Sequence, residues 1–292
     1  MSRLFAEQTI QLKASGFRLS VAKDFSDRIH SEGLTEPRGY DEAIRAARRV
    51  EGGRGPNWIL DEQYPDHPIR IRPCRHGGLF APWLRDWAWT PSRVFREFST
   101  WSVLREANVP LPAPVFAISR RKGLFWRSAF ASLECTDALD GIDWLAKDPS
   151  PLQLRKICLS FAKALRQFHD AGAIHGDLHI RNLLIEWRDA EDTTNAPRCL
   201  LIDLDRTRIQ SRVSPRQRIA ELSRLVRSLE KTGHAAAVSK RLRALTLSTY
   251  CAGDRKLRNA MMRWSRFETI RMGRHRFAWR LQRPASDEAM RR

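Results

Sequence analysis

His175-Gly176-Asp177-Leu178-His179-Ile180-Arg181-Asn182 sets a carboxylate five residues before a carboxamide, and a second carboxylate, Asp203, follows 21 residues after Asn182 in LLIDLDR. These residue types suit phosphoryl transfer to a hydroxyl. In that reaction one carboxylate orients the attacking hydroxyl and accepts its proton, while metal ions neutralise the phosphate oxygens. Asp177 suits the first role. Asn182 and Asp203 are oxygen donors of the kind magnesium takes, so they are the candidate metal ligands, and ATP with Mg2+ is the expected cofactor pair. The competing reading makes HGDLHIRN a polar turn, its Asn and Asp chosen for turn chemistry. The strand context of Asp203 favours the catalytic reading.

Such groups work only if flanking elements fix them. Leu154, Ile157, Cys158, Phe161, Leu165 and Phe168 recur at helical spacing from Ser150-Pro151 until Gly172, which predicts a long buried helix ending just before His175. His175 reads as a brace for the loop; His179 and Arg181 either contact the γ-phosphate or sit in a solvated loop. The apolar runs LLIEW (183–187) and CLLID (199–203) predict a hairpin, and Ser214-Pro215 opens another amphipathic helix.

Upstream, Gly52-Gly53-Arg54-Gly55 could bring backbone amides to phosphates, with Gly53 and Gly55 as the candidate contacts, although a surface turn explains them equally well. The alternation Ile69-Arg70-Ile71-Arg72 predicts a strand. Thr90-Pro91 then predicts a helix over 91–107, with Val94, Phe98, Trp101 and Leu104 on one face and Glu97 among them. A kinase pairs a strand cation with a helix glutamate to hold the α/β-phosphates. Here Arg72 or Arg70 stands where a lysine is usual, and its permanent charge and planar fork suit both partners. VFAIS, a turn at RRKG and GLFWRSAFASL complete a sheet-rich segment.

The order of elements predicts an α+β, two-lobed protein-kinase-like fold with a small β-rich N-lobe and a mainly helical C-lobe. Its expected divisions are an N-terminal extension (1–40), the N-lobe (41–140), the C-lobe (141–254) and a basic helical tail (255–292). The whole chain of 292 residues carries a net charge of +19, which favours polyanionic partners: nucleic acid, acidic membrane or a phosphorylated substrate. The tail contributes +9 of it, with twelve Lys and Arg against Glu268, Asp287 and Glu288. There Leu257, Ala260, Met261, Trp264, Phe267 and Ile270 alternate with arginines, predicting an amphipathic basic helix that packs on the C-lobe or meets acidic lipid. Five scattered cysteines suggest neither a disulfide framework nor a zinc site. Without a long apolar run or an apolar leader, a soluble cytoplasmic protein is expected.

Two further segments, IRIRPCRHGGLFAPWLRDWAW and VFREFSTWSVLREANVPLPAPVFA, join HGDLHIRNLLI and LLIDLDRTR in an order that resembles the lipopolysaccharide core kinases, namely 3-deoxy-D-manno-octulosonic acid (Kdo) kinase and its heptose-kinase relatives. The likeness runs from about Gly52 to Leu229. It implies that Arg72 is the strand cation, Glu97 its helix partner, Asp177 the base, and Asn182 with Asp203 the metal ligands. It also implies a sugar hydroxyl of the lipopolysaccharide inner core, or another anionic glycolipid, as acceptor, with peripheral attachment to the inner membrane's cytoplasmic face. Pro73-Cys74 and His76 depart from the family's pattern and bear on the acceptor rather than on the transfer.

Two rivals remain at this stage. An aminoglycoside-type or other small-molecule phosphotransferase shares an HGDLH-like loop. A basic nucleic-acid-binding protein on a kinase-derived scaffold would use the charge and the ten tryptophans. A protein kinase fits less well, because only about ten residues separate Asp203-Leu204-Asp205 from Ser214-Pro215, too few for a peptide-binding segment.

Overall fold

The computed structural model describes residues 9–14, 16–51, 55–61, 67–74, 88–187 and 196–267. The chain divides into two units. The first holds everything to Ala138 together with Glu186–Arg188 and Leu200–Thr207, and the second holds the remainder.

In the first unit, β1 (Thr9–Ala14), β2 (Phe17–Ala22), β3 (Arg48–Val50), β4 (Asn57–Leu60), β5 (Ile69–Pro73), β6 (Pro114–Lys122) and β7 (Phe125–Leu133) form one sheet in the order β1-β2-β6-β7-β5-β4-β3, antiparallel throughout. Residues 9–22, read from the sequence as part of an extension, therefore supply two of its strands. Strand alternation decides the faces. Phe17, Leu19 and Val21 of β2 and Ile69 and Ile71 of β5 join Ile29 of α1 (Ser26–Ser31) and Leu34 in a buried core, with Tyr40, Ala43 and Ile44 of α2 (Pro37–Ala46) packed on it. A one-residue slip of β5 would expose both isoleucines, at about 1.5–3 kcal/mol each, and drive Arg70 and Arg72 into that core. The register is thus set by the sequence of the strand itself.

The opposite face is covered by α3 (Ser92–Glu106), whose Phe98 and Trp101 rings lie 6.3 and 5.0 Å from Phe130 of β7. Phe130 pairs across the sheet with Arg72. The helix starts differently from the expectation: Pro91 occupies the cap position without a side-chain cap bond, and the Thr90 hydroxyl meets that of Ser92 at 3.0 Å instead.

In the second unit the helices are α4 (Gly141–Leu145), α5 (Pro151–Asp170), α6 (Pro215–Lys231) and α7 (Lys240–Cys251). Serine, proline and glutamine begin both long helices. Ser150 with Gln153, and Ser214 with Gln217, form reciprocal capping boxes, with proline in the first turn where its missing N–H costs nothing. The remaining short strands among the described residues are β8 (Ala138–Asp140), β9 (Ala173–Ile174), β10 (Leu183–Glu186), β11 (Arg198–Leu201) and β12 (Arg208–Ile209), of which β9 and β12 lie wholly in this unit. Antiparallel β9 and β12 bring Gly172 against Gln210, where a Cβ would stand 2.0 Å from the Gln210 carbonyl oxygen. Only glycine fits between the end of α5 and that backbone.

Residues 255–267 are helical. Met261 is buried and Leu257 and Ala260 are half-buried, whereas Met262, Trp264 and Phe267 are exposed, so the apolar stripe packs through its first two turns only. Arg216 lies over the Trp264 ring at 5.2 Å. Ile270, Arg271, Arg274 and Arg276 fall outside the described residues. No helix among the described residues is long and apolar enough to cross a membrane.

Candidate active site

The first unit gathers three of the expected residues. Arg72 leaves β5 on the face covered by α3, where its guanidinium pairs with Glu97 and also lies 3.4 Å from Asp203 Oδ1. Arg70, on the same face, is instead engaged by both carboxylate oxygens of Glu134. The cation placed beside the helix glutamate is therefore Arg72. Burial alone would weaken its charge, but Glu97 and then Asp203 outweigh that effect and hold it protonated. Burial also pushes the Glu97 carboxyl above its ordinary range, and Arg72 is the chief opposing influence. Cys74, next on the strand, has its thiol pushed up to about 12 by burial and by Glu97, which makes it an inert packing group.

Asp203 sits at φ 60, ψ 61, a left-handed conformation uncommon outside glycine and held here by its surroundings. The turn that follows, Leu204–Arg206, is fixed by buried Leu204 and by the Arg93–Asp205 ion pair at 2.5 Å. Arg93 and Asp205 were not singled out in the sequence; their signal is a second acid two residues after Asp203.

The second unit holds Asp177 and Asn182. The Asn182 Nδ2 donates to the Asp177 carbonyl at 3.0 Å, which ties the two ends of the loop and leaves the amide oxygen Oδ1 outside that bond. The loop is clamped from α6. Glu221 accepts from the His175 amide through Oε2 at 2.8 Å and from the Gly176 amide through Oε1 at 2.9 Å, and the Ser228 hydroxyl accepts from the Ile180 amide at 3.0 Å. His175 is wholly buried. Arg181 reaches Asp140 at 3.2 Å.

Glu221 is only 2% exposed, so its charge needs partners. Burial pushes its carboxyl up, but the hydrogen bond from His169, with the His175 amide, outweighs this and sets it below the ordinary range. Arg224 adds a contact at 3.2 Å. Tyr250 accepts from Arg218 at 2.9 Å and stands 2.7 Å from His169 Nδ1, so its proton goes to that nitrogen and Nε2–H faces Glu221 at 3.4 Å. Burial lowers the His169 pKa and keeps the ring neutral. Sequence reasoning missed Glu221, although an acid on the apolar face of α6 is the same signal that singled out Glu97.

Gly55 lies just before β4; Gly53, like His76, falls outside the described residues. Residues 50–248 match the profile of the lipopolysaccharide kinase (Kdo/WaaP) family. The chain belongs to that family. It is 35% identical over 195 residues to a 3-deoxy-D-manno-octulosonic acid kinase of Vibrio vulnificus (strain CMCP6), covering 64% of this chain and 76% of that protein. With the same-named kinase of Vibrio cholerae serotype O1 it shares 33% over 184 residues, 61% of this chain and 72% of the other. A solved structure of WaaP in complex with acyl carrier protein aligns over 88% of this chain and 98% of its own, with a TM-score of 0.58 and 20% identity, which makes the fold protein-kinase-like. Membership makes this protein a lipopolysaccharide kinase, a phosphotransferase; β1, β2, α1 and α2 precede the matched residues.

The Arg72–Glu97 pair yields a double-mutant test. Arg72→Ala leaves a buried carboxylate without its main counter-charge, so Glu97 takes up a proton, and a further Glu97→Ala change removes little more. Each single change should weaken nucleotide binding, and the double change should cost less than the sum by about 0.5–3 kcal/mol. Strict additivity in a nucleotide titration would show that the two side chains act separately.

Proposed function

We propose that this kinase transfers the γ-phosphate of ATP to a sugar hydroxyl of the lipopolysaccharide inner core, on Kdo or heptose, at the cytoplasmic face of the inner membrane. Kdo is the favoured acceptor, because the relatives cited above are named for it. The observation that carries the chemistry is the Arg72–Glu97–Asp203 grouping on one unit, together with the clamped Asp177–Asn182 loop on the other.

In this reading Arg72 binds the α/β-phosphates and Glu97 fixes its orientation. Asp177 orients the acceptor hydroxyl and takes its proton as the new O–P bond forms and the bond from the γ-phosphorus to the bridging oxygen breaks, releasing ADP. Asn182 Oδ1 and the Asp203 carboxylate are hard oxygen donors that fit magnesium, which would supply charge neutralisation at the phosphates. The exposed arginines of helix 255–267 are placed to attract an anionic glycolipid or acidic membrane. Acyl carrier protein, bound by the structural neighbour, is a protein partner to be sought by co-purification.

Incubation of the purified protein with ATP and magnesium and with delipidated core oligosaccharides, followed by mass spectrometry, tests the acceptor. The expected product is a mono-phosphorylated Kdo-containing fragment. Phosphate on an aminoglycoside but on no core sugar would replace this reading with the small-molecule one.

A further inference from the structure

The two most exposed large apolar side chains among the described residues are Trp89, at 71%, and Leu124, at 70%. Both lie at one end of the first unit's sheet, Leu124 in the turn before β7 and Trp89 beside Ala88, which bridges to Trp126 of β7. Gly123 and Leu124 form the two-residue turn between β6 and β7; Gly123 has φ +64, and a Cβ there would meet nothing within 4 Å. A turn with positive φ at its first residue suits the hairpin twist and explains the glycine. It does not explain the leucine, which projects from the tip where a polar residue would cost nothing.

The flanking pairs share one chemistry. Lys122 is opposite Phe125, whose ring lies 4.6 Å from that of Trp89, and Arg121 is opposite Trp126, over which Arg18 sits at 5.1 Å. Ala88 holds Trp89 in place by exchanging two backbone hydrogen bonds with Trp126, at 2.9 and 2.7 Å. Strands β1, β2, β6 and β7 carry Lys13, Arg18, Arg120, Arg121, Lys122 and Arg127 and no acidic residue. Arg120 pairs with Asp41.

We infer that this hairpin end is a membrane-insertion element, with Leu124 and Trp89 entering the acyl boundary of an anionic bilayer while Arg18, Arg121 and Lys122 meet lipid phosphates. An apolar tip flanked by cations matches the layered polarity of an anionic lipid surface, with aromatic rings at headgroup level. A nucleic acid would use the rings and cations but gains nothing from an aliphatic tip. The inference rests on the proposed membrane-borne acceptor, and it adds a contact separate from the C-terminal basic helix.

The test is co-sedimentation of the full chain, without ATP or acceptor, with vesicles of phosphatidylcholine alone or mixed with phosphatidylglycerol. Wild type should bind the mixed vesicles and release at high salt. Leu124→Glu should lower partition about tenfold, since it removes one buried leucine and adds a like charge to the surface. Leu124→Trp should preserve or raise it, and Arg121→Gln/Lys122→Gln should weaken it at low salt only. All three should phosphorylate a soluble core oligosaccharide as wild type does. Wild-type vesicle binding by Leu124→Glu, or complete loss of binding on changing only Arg258, Arg263 and Arg266 to Gln, overturns the inference. Failure of wild type to phosphorylate the soluble oligosaccharide refutes the proposed reaction instead, and the vesicle result still decides the hairpin.

Discussion

Asp177→Asn is expected to lower turnover by about two to four orders of magnitude while leaving nucleotide binding and thermal stability near wild type. The change keeps the size and hydrogen-bonding reach of the side chain and removes its ability to accept a proton. The fold should tolerate it, because the contacts that hold the loop are made by other groups: Glu221 grips the amides of His175 and Gly176, and Asn182 bonds the carbonyl of residue 177, which any residue supplies. Magnesium-dependent protection by ATP should therefore persist, at a few kcal/mol under saturating ligand. Asp203→Ala should separate from it by losing that magnesium-dependent protection together with turnover. Turnover near wild type in Asp177→Asn would remove this residue from the chemistry.

The candidate site was legible in the sequence wherever the proposed chemistry asks for a residue type at a fixed spacing. Asp177, Asn182 and Asp203 stood out because polar residues interrupt a helix-strand-strand pattern that packing alone would fill otherwise. Arg72 was legible as a pair with Arg70, and only the placement of Glu97 and Glu134 tells them apart. Sheet register was legible in β5, where alternation leaves a single way to bury Ile69 and Ile71. The place of residues 9–22 was not, because β2 joins β6, nearly a hundred residues downstream, and nothing local marks that pairing. Glu221 was passed over for a similar reason: its partners are backbone amides, which every residue has, so no sequence pattern announces them.

That clamp also makes Glu221 the most consequential residue outside the reacting groups. Glu221→Ala takes this acceptor from the His175 and Gly176 amides and from the His169 ring, and strips Arg224 of its counter-charge. Breaking a buried charge network in this way costs roughly 3–5 kcal/mol, a large part of a typical stability of about 5–15 kcal/mol. Glu221→Gln keeps the shape and one acceptor oxygen and should cost less, while lowering kcat more than the KM for ATP, because it loosens the loop that carries Asp177 rather than Arg72. Equal changes in both constants would mark Glu221 as structural only. The pH dependence has a definite sign. The folded pKa values of His169 and Glu221 both lie below their ordinary values of 6.5 and 4.5, so the unfolded chain binds protons first as pH falls. Their contribution to stability is complete above 6.5; the share from His169 starts to fall below that value and the share from Glu221 below 4.5, each ending beneath its depressed folded pKa. In melting curves recorded from neutral to acid pH, Glu221→Gln should start less stable than wild type and lose less on acidification, since it no longer has that carboxylate to protonate. Parallel acid limbs in the two proteins would show that the carboxylate is not the group whose charge holds the loop.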